Sequence, residues 1–170
     1  MAAQHTRIDT GLGELTLISD GQALTGLYFP HHWYPPKPDQ LGPSVDVTTD
    51  PLFSAVATQL DEFLAGERTE FEVPVRTSGD EFQEQVWALL AQIPYGSTST
   101  YGALAEQLGN TALAQRVGQA VGHNPVSVIV PCHRVVGSTG KLTGYAGGLD
   151  RKRQLLELEK PAHARVGLLF

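Results

Sequence analysis

Apolar and polar residues alternate along the first thirty positions of the chain. The alternation runs over residues 8–19 and 23–29 and is interrupted at Gly11, Gly13 and Gly21. A period of two places one face of a strand in a core, and glycine permits the tight turns between strands. The pattern predicts short antiparallel strands over 8–19 and 23–29.

One helix and one further strand are predicted in the rest of the first half. Residues 30–43 contain five prolines and no periodicity, which is typical of an irregular, mobile loop. From Pro51 to Leu64 apolar residues recur at helical spacing, and proline suits the first turn of a helix. Residues 71–75 indicate an edge strand, because Pro74 lacks the N–H of a central strand. This half shows no catalytic pattern.

An amphipathic helix is predicted where the second half begins. A capping residue is available in the segment Ser78-Gly79-Asp80, and residues 94–96 end the helix. The apolar residues at helical spacing between them are Phe82, Val86, Leu89, Leu90 and Ile93. Such a face is expected to pack against a core.

Two shorter helices are predicted next. Ser99 or Thr100 can cap a helix over 101–108, a Gly-Asn turn follows, and Thr111 can cap a helix over 112–121. This arrangement is typical of a helix-turn-helix, in which the second helix usually contacts DNA. Helical hairpins are also common in proteins that never bind DNA, so the pattern alone leaves both interpretations open.

Composition indicates an ordinary globular protein. The chain has 170 residues, of which 41% are hydrophobic and 18% charged. We expect two domains, 1–78 and 79–170. The first twenty residues lack a signal-peptide pattern, and no apolar run approaches the roughly 18 residues that span a bilayer. A single cysteine forms no internal disulfide, so we expect the protein in the reducing cytoplasm.

Charge is unevenly distributed along the chain. The net charge is −6, but residues 1–78 carry 11 acidic and 4 basic residues, whereas 79–170 carry 7 acidic and 8 basic residues. Residues 97–153 contain 6 basic and 2 acidic residues. The total charge argues against a nucleic-acid partner, whereas this basic stretch is compatible with one.

The one cysteine lies inside the basic stretch. Cys132 follows Pro131 where an apolar run, 126–130, ends, and His133 and Arg134 come next. A thiol beside an imidazole and a guanidinium is expected to have a lowered pKa and to act as a nucleophile. A free cysteine is about as often a small buried hydrophobe, so position alone does not decide.

The second half resembles the O6-alkylguanine-DNA alkyltransferases, also called methylated-DNA–protein-cysteine methyltransferases. Its ordered motifs are Phe82-x-x-x-Val86-Trp87-x-x-Leu90, Ile-Pro-Tyr-Gly at 93–96, Pro-Cys-His-Arg-Val-Val at 131–136 after an Asn-Pro turn, Gly-Tyr-Ala-Gly-Gly at 144–148 and Leu-Leu-Glu-Leu-Glu at 155–159. The likeness is specific from about residue 80 to residue 159 and looser in the first half.

The resemblance implies an α+β fold. A small ribonuclease H-like domain of sheet and helix is followed by a mostly helical, winged helix-turn-helix-like catalytic domain. The implied function is DNA repair by direct reversal: a damaged guanine is flipped out of the duplex, and its O6-alkyl group moves irreversibly to the cysteine, once per molecule. O4-alkylthymine is a second candidate substrate. The implied partner is double-stranded DNA containing alkylated guanine, without a cofactor. We expect a monomer that can cluster on DNA and so associate with the nucleoid.

The resemblance assigns the chemistry to four residues. Cys132 is the alkyl acceptor, His133 takes its proton through a water, and Glu159 orients and charges the imidazole. Tyr101 donates a hydrogen bond to N3 of the leaving guanine. Without the family motifs, Glu159 would be interpreted as a solvated charge and Tyr101 as a core residue.

The resemblance also implies a base pocket and a DNA-binding surface. The pocket residues are Asn124, Val135, Tyr145, Ala146 and Gly147, and the DNA-binding residues are Thr100, Gln115, Arg116, Gly118 and Arg134. Ala146 stands where some members have serine. Other members insert an arginine into the base stack from two positions before a Val-Gly pair, where this chain has Gln115. Arg116 comes one position later, a rotation of about 100° on a helix, which leaves the intercalating residue undecided and makes Arg116 a candidate phosphate contact.

Some relatives hold zinc in the first domain with cysteines and histidines. Here His5, His31 and His32 alone do not make a tetrahedral site, so no metal is expected.

Two other functions remain open. A Cys-His hydrolase would turn over repeatedly and would need an oxyanion hole, but no hydrolase signature surrounds Cys132. A non-enzymatic lesion-binding protein, similar to the alkyltransferase-like proteins, would lack the acceptor cysteine that this chain retains.

Overall fold

The first half of the chain forms a three-stranded antiparallel sheet. The computed structural model describes residues 2–160. In their order across the sheet, the strands are β1 (Gln4–Thr10), β2 (Gly13–Ser19) and β3 (Leu24–Tyr28). Gly13 has a φ of 102°, a conformation that glycine adopts readily, where the chain leaves the turn between β1 and β2. The predicted antiparallel strands are confirmed, although β1 begins four residues earlier than expected.

One face of a helix packs with this sheet. The proline-rich segment is followed by α2 (Pro51–Leu64), which has the predicted bounds. The Asp50 carboxylate caps α2 by accepting hydrogen bonds from the N–H groups of Leu52 and Phe53. The buried residues of α2 are Phe53, Val56, Leu60 and Phe63. They share one hydrophobic cluster with the buried leucines of β2 and β3, so apolar burial stabilises the helix on the sheet.

The proline-rich segment 30–43 is irregular, as its composition predicts, except for the single turn α1 (Pro38–Leu41). It is attached to the second half of the chain, because the N–H of Trp33 donates to the carbonyl of Ala146 at 3.1 Å. The mobility expected for this segment stays a prediction.

The edge strand predicted over 71–75 is wrong. Val75 forms only an isolated bridge to Leu24 at the edge of β3. The N–H of Leu24 donates to the carbonyl of Pro74 at 2.8 Å, but Pro74 has no N–H of its own with which to extend a ladder. The segment therefore touches the sheet without joining it as a strand.

Helices dominate the described part of the second half. In chain order, the elements are α3 (Glu81–Ala91), β4 (Ser99–Thr100), α4 (Tyr101–Gln107), α5 (Ala114–Gly122), β5 (Val135–Val136) and α6 (Leu149–Glu159). The cap of α3 expected within residues 78–80 is Asp80, and Thr100 rather than Ser99 caps α4. The predicted cap Thr111 is wrong: the side chain of Asn110 accepts from the N–H of Ala112 and caps a 3-10 turn over residues 111–113, so α5 begins two residues later than expected.

The helix-turn-helix is built from α4 and α5, which pack together, and α3 lies against α5. Nε1 of Trp87 on α3 donates to the carbonyl of Ala120 on α5 at 2.9 Å. The sheet joins this unit directly, because Leu27 of β3 donates to the carbonyl of Pro125 and accepts from the N–H of Ser127. The first half thus supports the segment that leads to Cys132. No helix in the described part of the chain has the length and apolar content to cross a membrane.

Candidate active site

The apolar run before the cysteine folds into a compact turn rather than a strand. Nδ2 of Asn124 donates to the carbonyl of Val130 at 2.8 Å, and its Oδ1 accepts from the N–H of Val126 at 3.0 Å. Val128, inside the turn, has a φ of 72°, which is uncommon for a β-branched residue. The N–H of Cys132 then donates to the carbonyl of Val130 at 2.8 Å. Asn124 therefore fixes the turn that presents the cysteine.

A buried carboxylate ties the two residues after the cysteine to the last helix. Residues Cys132–Arg134 form a 3-10 turn, and Nε2 of His133 lies 2.6 Å from Oε2 of Glu159 at the end of α6. Arg134 donates from Nε to Oε1 at 2.7 Å and from Nη2 to Oε2 at 2.9 Å. Nη1 of Arg134 donates to the carbonyl of Ile93 at 2.7 Å. His133 and Glu159 are 0% and 3% exposed, so this ion network is shielded from water.

Arg134 does not lie where a DNA contact requires. Its guanidinium is buried, and within residues 2–160 its hydrogen bonds go to Glu159 and to the carbonyl of Ile93. A buried cation needs a paired partner, and Glu159 satisfies that need. We therefore withdraw Arg134 from the expected DNA-binding residues and assign it to positioning the site.

The surroundings of Cys132 favour the protonated thiol. Burial raises the pKa of Cys132, and contacts with Asn124, Lys152, Tyr145 and Ser127 offset only part of that effect. The lowered thiol pKa expected from the adjacent imidazole and guanidinium is therefore wrong, since Arg134 points to Glu159. Cys132 needs a base to become a nucleophile.

The next residue, His133, has an imidazole that can act as a base when it is neutral. Burial lowers the pKa of His133, and the hydrogen bond to Glu159 offsets this only in part, so the imidazole is neutral near pH 7. Burial alone would raise the pKa of Glu159, but hydrogen bonds from His133 and Arg134 outweigh it and lower the pKa, so the carboxylate stays charged. Nδ1 of His133 is buried and has no hydrogen-bond partner among residues 2–160.

A cavity of about 460 Å³ opens onto the cysteine. Its volume lies in the range typical of small-molecule sites. Its walls are Trp33, Tyr101, Ala114, Gln115, Gly118, Val121, Gly122, Cys132, Thr143, Gly144, Tyr145 and Ala146. The cavity thus brings together six of the residues expected from the sequence: Cys132, Tyr101, Tyr145, Ala146, Gln115 and Gly118. The Tyr101 hydroxyl lies 3.0 Å from Oγ1 of Thr143, which holds it at the cavity wall.

The other expected pocket residues support the cavity without lining it. Val135 is fully buried and pairs with Ser99 in the β4–β5 ladder. Gly147 packs so closely on Phe29 that an added Cβ would lie 2.2 Å from the ring. Asn124 acts through its turn. These residues support the walls of the cavity without contributing to its surface.

The helix-turn-helix separates Gln115 from Arg116. Gln115 is exposed and lies at the cavity, whereas the Arg116 guanidinium stacks over the ring of Phe82 at 4.0 Å from the ring centre. An ideal Cβ at Gly118 would lie 3.7 Å from Cδ1 of Tyr101, so the backbone of α5 lies close to this ring. Thr100 caps α4. Because consecutive helix positions differ by a rotation of about 100°, Gln115 lies at the cavity and Arg116 lies against α3.

Sequence reasoning missed Lys152. This lysine is fully buried, and its Nζ donates to the carbonyls of Thr143 and Gly144 at 3.2 and 3.5 Å. Burial lowers the pKa of Lys152 to about 8, and the nearby Cys132 acts in the opposite direction. A signal was present, because Lys152 shares a helix face with Leu155, but only the fold shows that this face is internal.

The pocket wall also contains Thr143 and Trp33, of which no sequence pattern indicated Trp33. The Tyr145 hydroxyl is buried close to Cys132 and Ser127, and burial, followed by the proximity of Cys132, raises the pKa of Tyr145. No cluster of three potential metal ligands occurs in residues 2–160, and the expected absence of a metal stays a prediction.

Two family profiles match the chain. The ribonuclease-like domain of 6-O-methylguanine DNA methyltransferase matches residues 4–77, and the DNA-binding domain of the same protein matches residues 81–161. The α+β fold class, with a small sheet domain before a helical DNA-binding domain, is confirmed.

Curated relatives give the same result. The methylated-DNA–protein-cysteine methyltransferase of Mycobacterium tuberculosis is 49% identical over 157 residues, which are 92% of each chain. That of Haemophilus influenzae is 38% identical over 165 residues, 94% of this chain and 87% of the relative. The crystal structure of M. tuberculosis OGT in complex with DNA has a TM-score of 0.83 at 43% identity and covers 97% of this chain and 94% of that one. The chain therefore belongs to the methylated-DNA–protein-cysteine methyltransferases, a family of DNA repair enzymes.

Proposed function

We propose that this protein flips an O6-alkylated guanine out of duplex DNA and transfers the alkyl group to Cys132, once per molecule. The observation that carries the proposal is that Cys132 forms part of the cavity wall while the next residue, His133, is bonded to the buried Glu159. The M. tuberculosis relative, which was crystallised in complex with DNA, supports DNA as the partner. O4-alkylthymine is a second candidate substrate of the same site.

The transfer is a direct substitution at carbon. The Cys132 thiol gives its proton, through a water, to Nδ1 of His133, the ring atom that has no hydrogen-bond partner among residues 2–160. The thiolate attacks the alkyl carbon, a C–S bond forms, and the bond between carbon and O6 breaks. The guanine anion leaves and is stabilised at N3 by a hydrogen bond from the Tyr101 hydroxyl. Glu159 orients the imidazole and stabilises its positive charge.

The chemistry leaves a thioether on the protein. Neither water nor a neighbouring thiol readily cleaves such a bond, and Cys132 is the one cysteine of the chain. The acceptor is thus consumed, and the protein acts as a reagent more than as a catalyst. The proposed reaction itself requires no cofactor.

DNA is proposed to bind across α4 and α5. Extruding a base costs a few kcal/mol, so a side chain that fills the vacated stack favours the flipped state. Gln115 lies at the cavity mouth and is our candidate for that position, whereas Arg116, held over Phe82, is our candidate for a phosphate contact. Thr100 and Gly118 stay proposed contacts on the same surface. We further propose domains 1–78 and 79–170, an arrangement supported by profile matches on either side of residue 78, and a monomer that can cluster on DNA.

Incubation with a duplex containing O6-methylguanine should add one methyl group to the protein, located on Cys132. Intact-mass and peptide mass spectrometry measure the addition, and at most one base should be repaired per molecule. Cys132→Ser should gain nothing. Repeated turnover without a mass gain would favour the hydrolase alternative, and tight binding without transfer would favour the lesion-binding alternative.

The transfer rate should depend on neutral His133. Because burial lowers the pKa of this imidazole below its usual value of 6.5, the rate should stay level from about pH 8 to about pH 6.5 and fall below that range. Protonation removes the base, so the loss occurs as the pH drops through the pKa. Single-turnover rates over this pH range test this, with duplex affinity at each pH as the control. A decline already complete at pH 7 would contradict it.

Glu159→Gln should both slow transfer and destabilise the fold. Loss of the charge removes the partner of buried Arg134 and the support of His133, so we expect a loss of about 3 kcal/mol in unfolding free energy. The transfer rate should fall by about 100-fold or more. Urea denaturation and single-turnover kinetics measure the two effects. Glu157→Gln on the same helix is the matched control, because Glu157 is half exposed and should change stability by less than about 0.5 kcal/mol.

Gln115→Ala and Arg116→Ala should have different effects on duplex binding and on the transfer rate. Arg116→Ala should weaken duplex binding and reduce the slope of log affinity against log salt by about 1, as loss of one phosphate contact predicts. Gln115→Ala should leave that slope unchanged but slow transfer from duplex DNA, without slowing the reaction with free O6-benzylguanine. Unchanged binding in Arg116→Ala would show that Arg116 is not a contact.

A further inference from the structure

The proline-rich segment of the first half contributes one wall of the reactive cavity. Trp33 is 55% exposed, which is unusual for so large an apolar side chain, yet it lines the same cavity as Cys132 and Tyr101. None of the other cavity-lining residues comes from the first half of the chain. The sequence motifs do not include Trp33, and the proposed transfer mechanism does not use it.

Two adjacent residues fasten this wall in place. The N–H of Trp33 donates to the carbonyl of Ala146 in the loop that lines the cavity, at 3.1 Å. The ring of Tyr34 stacks on His123, with centres 3.6 Å apart and planes at 14°. Nδ1 of His123 in turn lies 2.8 Å from the carbonyl of Gln119 on α5. The segment is therefore attached both to the cavity loop and to the helix-turn-helix.

The indole packs against bare backbone on two sides. An ideal Cβ at Gly144 would lie 2.4 Å from Cη2 of Trp33, and one at Gly122 would lie 3.8 Å from its Cε3. A side chain at Gly144 could not coexist with the indole in this position. Trp33 therefore spans the space between the cavity loop and the end of α5.

The composition of the cavity walls makes Trp33 the position at which a substitution would most change the size of the cavity. Most other lining positions are glycine, alanine or another small residue, so aromatic rings occupy much of the wall. Tyr145 is buried, and Tyr101 is held by Thr143 and has a proposed chemical role. Trp33 is half exposed and has no such role, so its truncation would widen the cavity with least disturbance elsewhere.

We propose that Trp33 is a specificity-determining residue that limits the size of the alkyl group transferred to Cys132. The inference rests on the proposed function. The methyl group of O6-methylguanine is small enough to react beside the indole, whereas a benzyl group meets it. The first half of the chain thereby acts on substrate choice, although the proposed chemistry belongs to the second half.

Single-turnover transfer from two duplexes, one with O6-methylguanine and one with O6-benzylguanine, tests the proposal. Trp33→Ala should raise the benzyl-to-methyl rate ratio by about tenfold, and Trp33→Phe should raise it less. Leu149→Ala is the matched control, because Leu149 is an exposed apolar residue, 42% exposed, that does not line this cavity. Its ratio should equal that of the wild type.

The outcomes separate this inference from the proposed function. If the wild-type protein gains no methyl group, the proposed function fails. If it does, an unchanged or lower ratio in Trp33→Ala overturns the role of Trp33. An equal slowing of both substrates also overturns it, because that result would place Trp33 on DNA rather than at the alkyl group.

Fluorescence gives a readout independent of rate. The chain has two tryptophans, and Trp87 is buried, so iodide quenching reports chiefly on Trp33. Wild-type protein benzylated on Cys132 should be quenched less than methylated or unmodified protein, and Trp33→Phe should show no difference among the three. Equal quenching of benzylated and unmodified wild type would show that the alkyl group does not reach Trp33.

Discussion

The buried carboxylate of Glu159 is the group on which the site depends. It accepts hydrogen bonds from His133 and from two nitrogens of Arg134, so one side chain at the end of α6 holds two consecutive residues of the cysteine turn. Charges in a protein interior are stable only when paired, and removal of Glu159 would leave the buried Arg134 without its carboxylate partner. The orientation of His133, and with it the base available to Cys132, follows from that constraint.

Burial explains how the site suits its proposed chemistry. The same exclusion of water raises the pKa of the Cys132 thiol and lowers that of His133. Burial thus favours a protonated thiol at Cys132 and a neutral imidazole at His133, which is the starting state of the proposed proton transfer. Lys152 and Tyr145 are also close to the thiol and act against its desolvation. The positive charge that partly offsets the raised pKa of Cys132 thus comes from the buried Lys152. The adjacent Arg134 is neutralised by Glu159.

Local patterns predicted the helices well and long-range contacts poorly. The bounds of α2 and the cap Asp80 follow from proline, carboxylate and apolar spacing within a few residues, and these signals act in any context. The strand expected over 71–75 failed because a strand exists only through its partner, and β3 offers a partner at one residue. The cap Thr111 failed because Asn110, one position earlier, accepts from the N–H of Ala112 and caps a 3-10 turn that contains Thr111.

The sequence by itself determined the family motifs around the one cysteine and the two helices of the helix-turn-helix, because these depend on residue identity and local spacing. Only the tertiary structure decided that Arg134 pairs with Glu159, 25 residues away, instead of facing DNA. It also decided that Gln115 lies at the cavity while Arg116 stacks on Phe82, and that Trp33 reaches the cavity from the other half of the chain. Those contacts join residues far apart in sequence, and their geometry is set by packing, which no local pattern records.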